Sequence, residues 1–140
     1  MIKVRVQRLR EGARLPERQS AGAAGYDIYA AADTLVPARG RALVPSGIAI
    51  ALPEGYEGQV RPRSGLALRY GLSAHFGTID SDYRGELQVL LHNDADADYK
   101  VQAGDRVAQL VIAPVILADF AEESLDPTER GEGGFGHTGD

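Results

Sequence analysis

Gly104-Asp105-Arg106-Val107-Ala108-Gln109-Leu110-Val111-Ile112 begins with a turn-forming pair and runs on into an apolar strand interrupted by one polar residue, Gln109. The same period of two returns upstream at Leu87-Val89-Leu91, from Gln59 to Arg63, from Leu43 to Ile50, and at Ile2-Val4-Val6. Turn chemistry separates these runs, at Pro37-Ala38-Arg39-Gly40, Pro53-Glu54-Gly55, Asn93-Asp94 and Ala103-Gly104-Asp105. Many short strands at regular spacing predict a sandwich, a jelly roll or a barrel. Only Ser64 to Tyr70 reads as helix, with Ser64 as its N-cap. The expected fold class is all-β.

At 140 residues the chain can bury one hydrophobic core and is too short for two ordinary domains. A hydrophobic content of 44% with 25% charged residues is that of a folded globular chain. The core must be aliphatic, because Trp is absent and aromatics are few. Cys is absent too, which excludes disulfides and thiolate metal sites and fits a reducing, cytoplasmic setting. Any metal has to be held by oxygen or imidazole. The N-terminus lacks the apolar run of a signal peptide. The longest apolar stretch, Leu110 to Ala118, is broken by Pro114 and falls far short of the roughly 20 residues a membrane helix needs. A formal charge of -5 argues against a nucleic-acid surface, so a polyanionic ligand must be met by local basic groups and a cation.

Five short constellations carry possible chemistry. Ala24-Gly25-Tyr26-Asp27-Ile28 brings one carboxylate into a strand, which a solvated strand start would also explain. Arg63-Ser64-Gly65 sets a guanidinium, a hydroxyl and a glycine at a helix start, which suits either a phosphate or a plain N-cap. Gly77-Thr78-Ile79-Asp80-Ser81-Asp82-Tyr83-Arg84-Gly85-Glu86 is dense in carboxylates; an Asp-rich turn accounts for those, but not for Tyr83. The opening stretch, with Gln109, is the fourth. The fifth lies in the tail from Asp126 to Asp140, where Gly131, Gly133, Gly134, Gly136 and Gly139 surround a single aromatic, Phe135. Such a segment packs no core, and is either a frayed end or an arm ordered by something else.

Together and in this order, the five motifs resemble those of the trimeric dUTPase family, spanning nearly the whole chain. The resemblance implies a jelly-roll-like, distorted β-barrel over residues 1–125, with one short helix. It implies a mobile arm over residues 126–140 that closes over a neighbouring subunit's active site in a homotrimer. The implied reaction is hydrolysis of dUTP to dUMP and diphosphate, by water attack on the α-phosphate with Mg²⁺ as cofactor. It would limit uracil incorporation into DNA and supply dUMP for dTMP synthesis. A related deaminase acting on dCTP and a non-catalytic jelly-roll module are the rival readings.

By the same resemblance, Asp80 would orient and deprotonate the attacking water. Arg63, Ser64 and Gly65 would hold phosphate oxygens, Gln109 would contact the phosphate chain or the water, and Arg130 would arrive with the arm. Main-chain groups around Thr78 and Ile79 would pair with uracil, Tyr83 would pack on deoxyribose and exclude a 2′-hydroxyl, and Phe135 would stack on the base. Gln88, Gly136 and His137 complete the implied binding set, and Asp27 is the candidate to hold a metal-bound water. Two departures from the family pattern stand out. The stretch Gly71 to Gly77 is two residues shorter than usual and lacks an Asn, so Ala74 would have to present the uracil-binding groups. His137 stands where Ser or Thr is frequent.

Overall fold

A computed structural model describes residues 1–139; Asp140, the last residue of the expected arm, lies outside the described residues. The elements are β1 (Arg5–Arg8), β2 (Tyr26–Tyr29), β3 (Thr34–Val36), β4 (Arg41–Pro45), β5 (Ile48–Ala51), β6 (Tyr56–Arg61), α1 (Ser64–Tyr70), β7 (Leu72–Ala74), β8 (Gly77–Ile79), β9 (Gln88–Asn93), β10 (Tyr99–Val101) and β11 (Arg106–Pro114). All strand pairs are antiparallel. Two sheets carry the architecture, one in the order β2-β11-β6-β8 and the other β4-β9-β7, with β1-β5 and β10-β3 as two-stranded companions. The all-β expectation holds. The pairings form four open sheets, not a closed barrel.

Strand β11 is the longest element and pairs with β2 on one side and β6 on the other. Its buried residues Val107, Ala108 and Leu110 meet Ile28, Val60 and Ile79 in an aliphatic core that continues through Val44, Val89, Leu91 and Leu72. Each of the larger side chains contributes about 1.5–3 kcal/mol by leaving water. The polar residues of β6 point the other way: Gln59 donates to Glu57, and Arg61 donates to Gln59.

Four local expectations change. The run from Leu43 to Ile50 is two strands, because Gly47 adopts φ 73°, a conformation that costs a side-chain-bearing residue strain. That bend sends β4 to β9 and β5 to β1. Ser64 is the first helical residue, not the N-cap: Arg63 occupies the cap with extended backbone (φ -102°, ψ 128°) and makes no side-chain cap bond. The first strand starts at Arg5 instead of Ile2, since the register with β5 begins at Arg5↔Ala51. Asn93, read as a turn residue, ends β9 with its side chain buried. It donates to the carbonyls of Val36 (3.2 Å) and Ala97 (2.9 Å) and accepts from the Ala95 N–H (2.9 Å).

Candidate active site

The β-register brings the first, second and fourth sequence motifs to one corner. Asp27, Gln109 and Arg61 lie side by side on β2, β11 and β6. Strand β6 stops at Pro62, which has no N–H for the ladder, and the freed Pro62 carbonyl accepts a hydrogen bond from Gln109 Nε2 at 3.0 Å. Gly25 makes room for that side chain: a Cβ there would fall within 3.0 Å of Gln109 Cδ and 3.2 Å of its Cβ, and would overlap the amide oxygen. Gly25 of the first motif, Pro62 just ahead of the second and Gln109 of the fourth thus form one packed unit.

Asp27 ties the same corner electrostatically. Its side chain is only 11% exposed, with Oδ1 3.4 Å from Arg63 Nε and Oδ2 3.4 Å from Arg106 Nη1. Arg63 Nη1 also donates to the Arg106 carbonyl at 3.3 Å. Ser64 and Gly65 are exposed beside this pair, and the space around Gly65 is open. Behind Arg63 and Arg106 lies a cavity that Arg14 and Tyr29 also line. Arg14 stacks 3.8 Å over the Tyr29 ring. Burial first, and the hydrogen bond to Glu17 second, push the Tyr29 phenol up, so it remains an O–H donor to that carboxylate at 3.2 Å.

The third motif sits elsewhere. Strand β8 is followed by a turn in which the Tyr83 N–H donates to the Asp80 carbonyl at 3.2 Å. The Tyr83 hydroxyl folds back to the Glu86 carbonyl (2.9 Å), passing over Gly85, where a Cβ would lie 2.6 Å from the phenol ring. Arg84 closes the loop on the carbonyls of Ser81 (2.7 Å) and Tyr83 (3.0 Å). Asp80 is exposed at the rim of a cavity of about 350 Å³, lined also by Leu43, Val60, Thr78, Tyr83 and Gln88. Glu86, which the sequence offered no reason to separate from its acidic neighbours, accepts from the Gly47 N–H at 2.9 Å and so braces the bend between β4 and β5.

Strands β7 and β8 are consecutive yet do not form a hairpin ladder. The first pairs with β9 and the second with β6, and each is the outermost strand of its own sheet. Their outward N–H and C=O groups are therefore free for a ligand that can imitate a strand or a base. The connecting residues, His75 and Phe76, are exposed.

The two regions do not meet within one chain. Gln109 is opposite Arg61 and Ile79 opposite Gly58, two strands over, which separates them by about 14 Å at ordinary strand spacings. Asp80 is one residue farther still. The tail joins neither region: its hydrogen bonds are internal, from Arg130 Nε to the Gly133 carbonyl (2.9 Å) and from the Gly131 N–H to Thr128 Oγ1 (3.1 Å). Phe135 is fully exposed at φ 52°, and His137 packs over Gly133. The chain leaves the sheets after Pro114, with the Val115 N–H on the Gly55 carbonyl (2.9 Å), and Ile116, Leu117, Phe120 and Leu125 then stand exposed.

An antiparallel β fold gathers a guanidinium, a hydroxyl and a helix start at one corner and sets an exposed carboxylate by a separate cavity, a set of groups suited to an anionic ligand. The family model described as dUTPase matches residues 11–139, and the chain belongs to that family. It is 54% identical over 143 residues to the deoxyuridine 5'-triphosphate nucleotidohydrolase of Syntrophotalea carbinolica, covering 99% of this chain and 97% of the relative. Its structure is similar to that of a mutant dUTPase of Staphylococcus bacteriophage 80alpha solved with dUpNHpp, at TM-score 0.93 and 30% identity, with both chains fully covered. A mutant dUTPase from phage phi11 of S. aureus, described as revealing the coordination of a structural Mg(II) ion, is similar at TM-score 0.83 and 29% identity. That match covers 89% of this chain and 98% of the phage protein.

Proposed function

We propose that this protein hydrolyses dUTP to dUMP and diphosphate as a homotrimer, in an active site that three copies complete. The observation that carries the reading is the division of one family's motifs into groups about 14 Å apart in a single chain, each suited to a different part of the nucleotide. Arg63, Ser64, Gly65 and Gln109 take the phosphate chain. Asp80 of another copy aims the water at the α-phosphorus, since a base must lie within hydrogen-bond reach of its nucleophile. The free edge of β8 at Thr78 and Ile79 pairs with the N–H and carbonyls of uracil, with Ala74 on the facing edge of β7. Tyr83, held by the Glu86 carbonyl and Gly85, packs on deoxyribose, and Gln88 borders the same cavity. Cytosine would leave such groups unpaired, which is the costly error in a buried polar site.

The tail, residues 126–140, serves as the arm of a neighbouring copy, bringing Arg130, Gly136 and His137 to the phosphates and Phe135 to the face of the base. The exposed apolar side chains from Ile116 to Leu125 support a path across another subunit, because a lone chain would leave them in water.

No group of three or more His, Cys, Asp or Glu among the described residues forms a metal cage. Mg²⁺ would be carried mainly by the triphosphate and would keep most of its own water, as this hard ion prefers. Bound there, the ion neutralises charge on the phosphates. Asp27 is the candidate to reach one of its waters. No helix among the described residues is long and apolar enough to cross a membrane, and we place the protein in the cytoplasm, where a chain without Cys is at home.

Incubation with dUTP or dCTP in the presence of Mg²⁺ tests the reading. Diphosphate from dUTP is expected, together with a trimer in analytical ultracentrifugation; ammonia from dCTP, or no turnover of either, overturns it.

A further inference from the structure

The role proposed for Arg63 requires a long, flexible side chain to present a nitrogen to phosphate in one orientation, and the corner around it contains the device that does so. The guanidinium is tied at two of its three nitrogens. Nε faces Asp27 Oδ1 at 3.4 Å, and Nη1 donates to the main-chain carbonyl of Arg106 at 3.3 Å. Nη2 lies outside both contacts. Asp27 is itself fixed from three sides: its backbone exchanges hydrogen bonds with Glu17 (2.7 and 3.3 Å), its strand is registered against β11, and its second oxygen is taken by Arg106 Nη1 at 3.4 Å. With its side chain 11% exposed, it has little freedom to turn toward another partner.

We propose that Asp27 is a positioning residue that orients Arg63, so that Nη2 is the nitrogen offered to the phosphate chain. The inference rests on the reading of the Arg63 corner as the phosphate site and deepens it. The geometry makes a claim opposite in sign to simple electrostatics. A carboxylate beside an anion site repels the anion, so removing its charge should tighten phosphate binding if charge were all that mattered. Positioning reverses that expectation, because an untied Arg63 swings toward solvent and away from the second guanidinium, and the side-chain entropy of ordering it then falls on the ligand. A role in holding a metal-bound water predicts a third pattern, a defect that exists only when Mg²⁺ is present.

The probe is inorganic diphosphate, titrated calorimetrically into the trimer with EDTA present, for the wild type, Asp27→Asn and Asp27→Glu. Asp27→Glu keeps the charge and displaces it by one methylene, so it separates position from charge. Positioning predicts binding at least fivefold weaker in both variants without metal. For dUTP it predicts KM at least tenfold higher, a defect that saturating Mg²⁺ does not repair. Thermal melting and sedimentation establish that each variant remains a folded trimer; if Asp27→Asn does not fold, the same comparison is made on Asp27→Glu alone. Tighter or unchanged diphosphate binding in a folded variant overturns the inference, as does a defect confined to the Mg²⁺ requirement. Failure of the wild type to bind diphosphate overturns the reading of Arg63 as a phosphate ligand, and this inference with it.

Discussion

The corner built by Gly25, Asp27, Pro62, Arg63 and Gln109 and the tail from Thr128 to Gly139 are both short, glycine-containing and polar, yet they behave as opposites. In the corner every functional side chain has a partner from a different strand or loop: Gln109 on Pro62, Arg63 on Asp27 and Arg106, with Gly25 shaped around the amide. In the tail the hydrogen bonds run only to neighbours within a few residues, and Phe135 touches water on every side. The contrast teaches that the corner is organised within a single chain, whereas the tail is not; on the proposed reading the clamp is ready before ligand arrives and the arm takes its order from the nucleotide and a neighbouring subunit. Preorganised donors need no rearrangement at the moment of reaction; an arm that orders on binding excludes water at the cost of conformational entropy. The third motif stands between these extremes, for its loop is internally fixed by Tyr83 and Arg84 while the exposed Asp80 carboxylate makes no hydrogen bond or ion pair among the described residues.

The comparison can be broken most severely at Asp80. Asp80→Asn removes the base and leaves the clamp, so kcat should fall by about 10²–10⁴ while affinity for a non-hydrolysable dUTP analogue is retained. Turnover near the wild-type level would remove Asp80 from the reaction. Deletion of residues 130–140 is expected to lower kcat/KM by roughly 100-fold, since a charge-assisted phosphate contact and a base stack of about 1–3 kcal/mol are both lost. Sedimentation should still report a trimer; dissociation would show that the tail is structural.

Gly25→Ala sharpens the other side of the comparison. The added methyl cannot coexist with the Gln109 amide, so the variant should lose about 1–3 kcal/mol of stability in urea melts and about tenfold in kcat/KM. An unaltered melt would mean that Gln109 simply moves aside. The smallest effect is expected for Tyr83→Ala, which should reduce discrimination against UTP by about tenfold, a typical scale for a site that excludes a single hydroxyl. Equal selectivity before and after would take Tyr83 out of sugar recognition.

Much of this was legible in the chain itself. Alternation at Leu87-Val89-Leu91 and Val107 to Ile112 marked real strands, because a half-buried sheet enforces a period of two whatever its partners are. Position 64 was harder: a Ser before an apolar run reads as an N-cap, and nothing local reveals that the extended backbone of Arg63 takes that place. The bend at Gly47 was also missed: Leu43 to Ile50 is apolar but for Ser46, and the Pro45-Ser46-Gly47 turn signal inside it was read through as one strand, although β9 and β1 take its two halves. Arg106 passed as an ordinary strand residue because its partner, Asp27, is 79 positions away.

By itself the sequence determined the fold class and the family, the first through periodicity and the second through the order of five motifs that resemble the family's; the chemically active side chains it named are those the resemblance implies. Tertiary structure alone decided which of those side chains meet. It gathered Gly25, Asp27, Arg63 and Gln109 through the register of β2, β11 and β6, left Asp80 about two strands from them, and left Phe135 exposed in the tail. Register is a property of paired strands, set by the buried faces of all of them together, and no single stretch of chain encodes it.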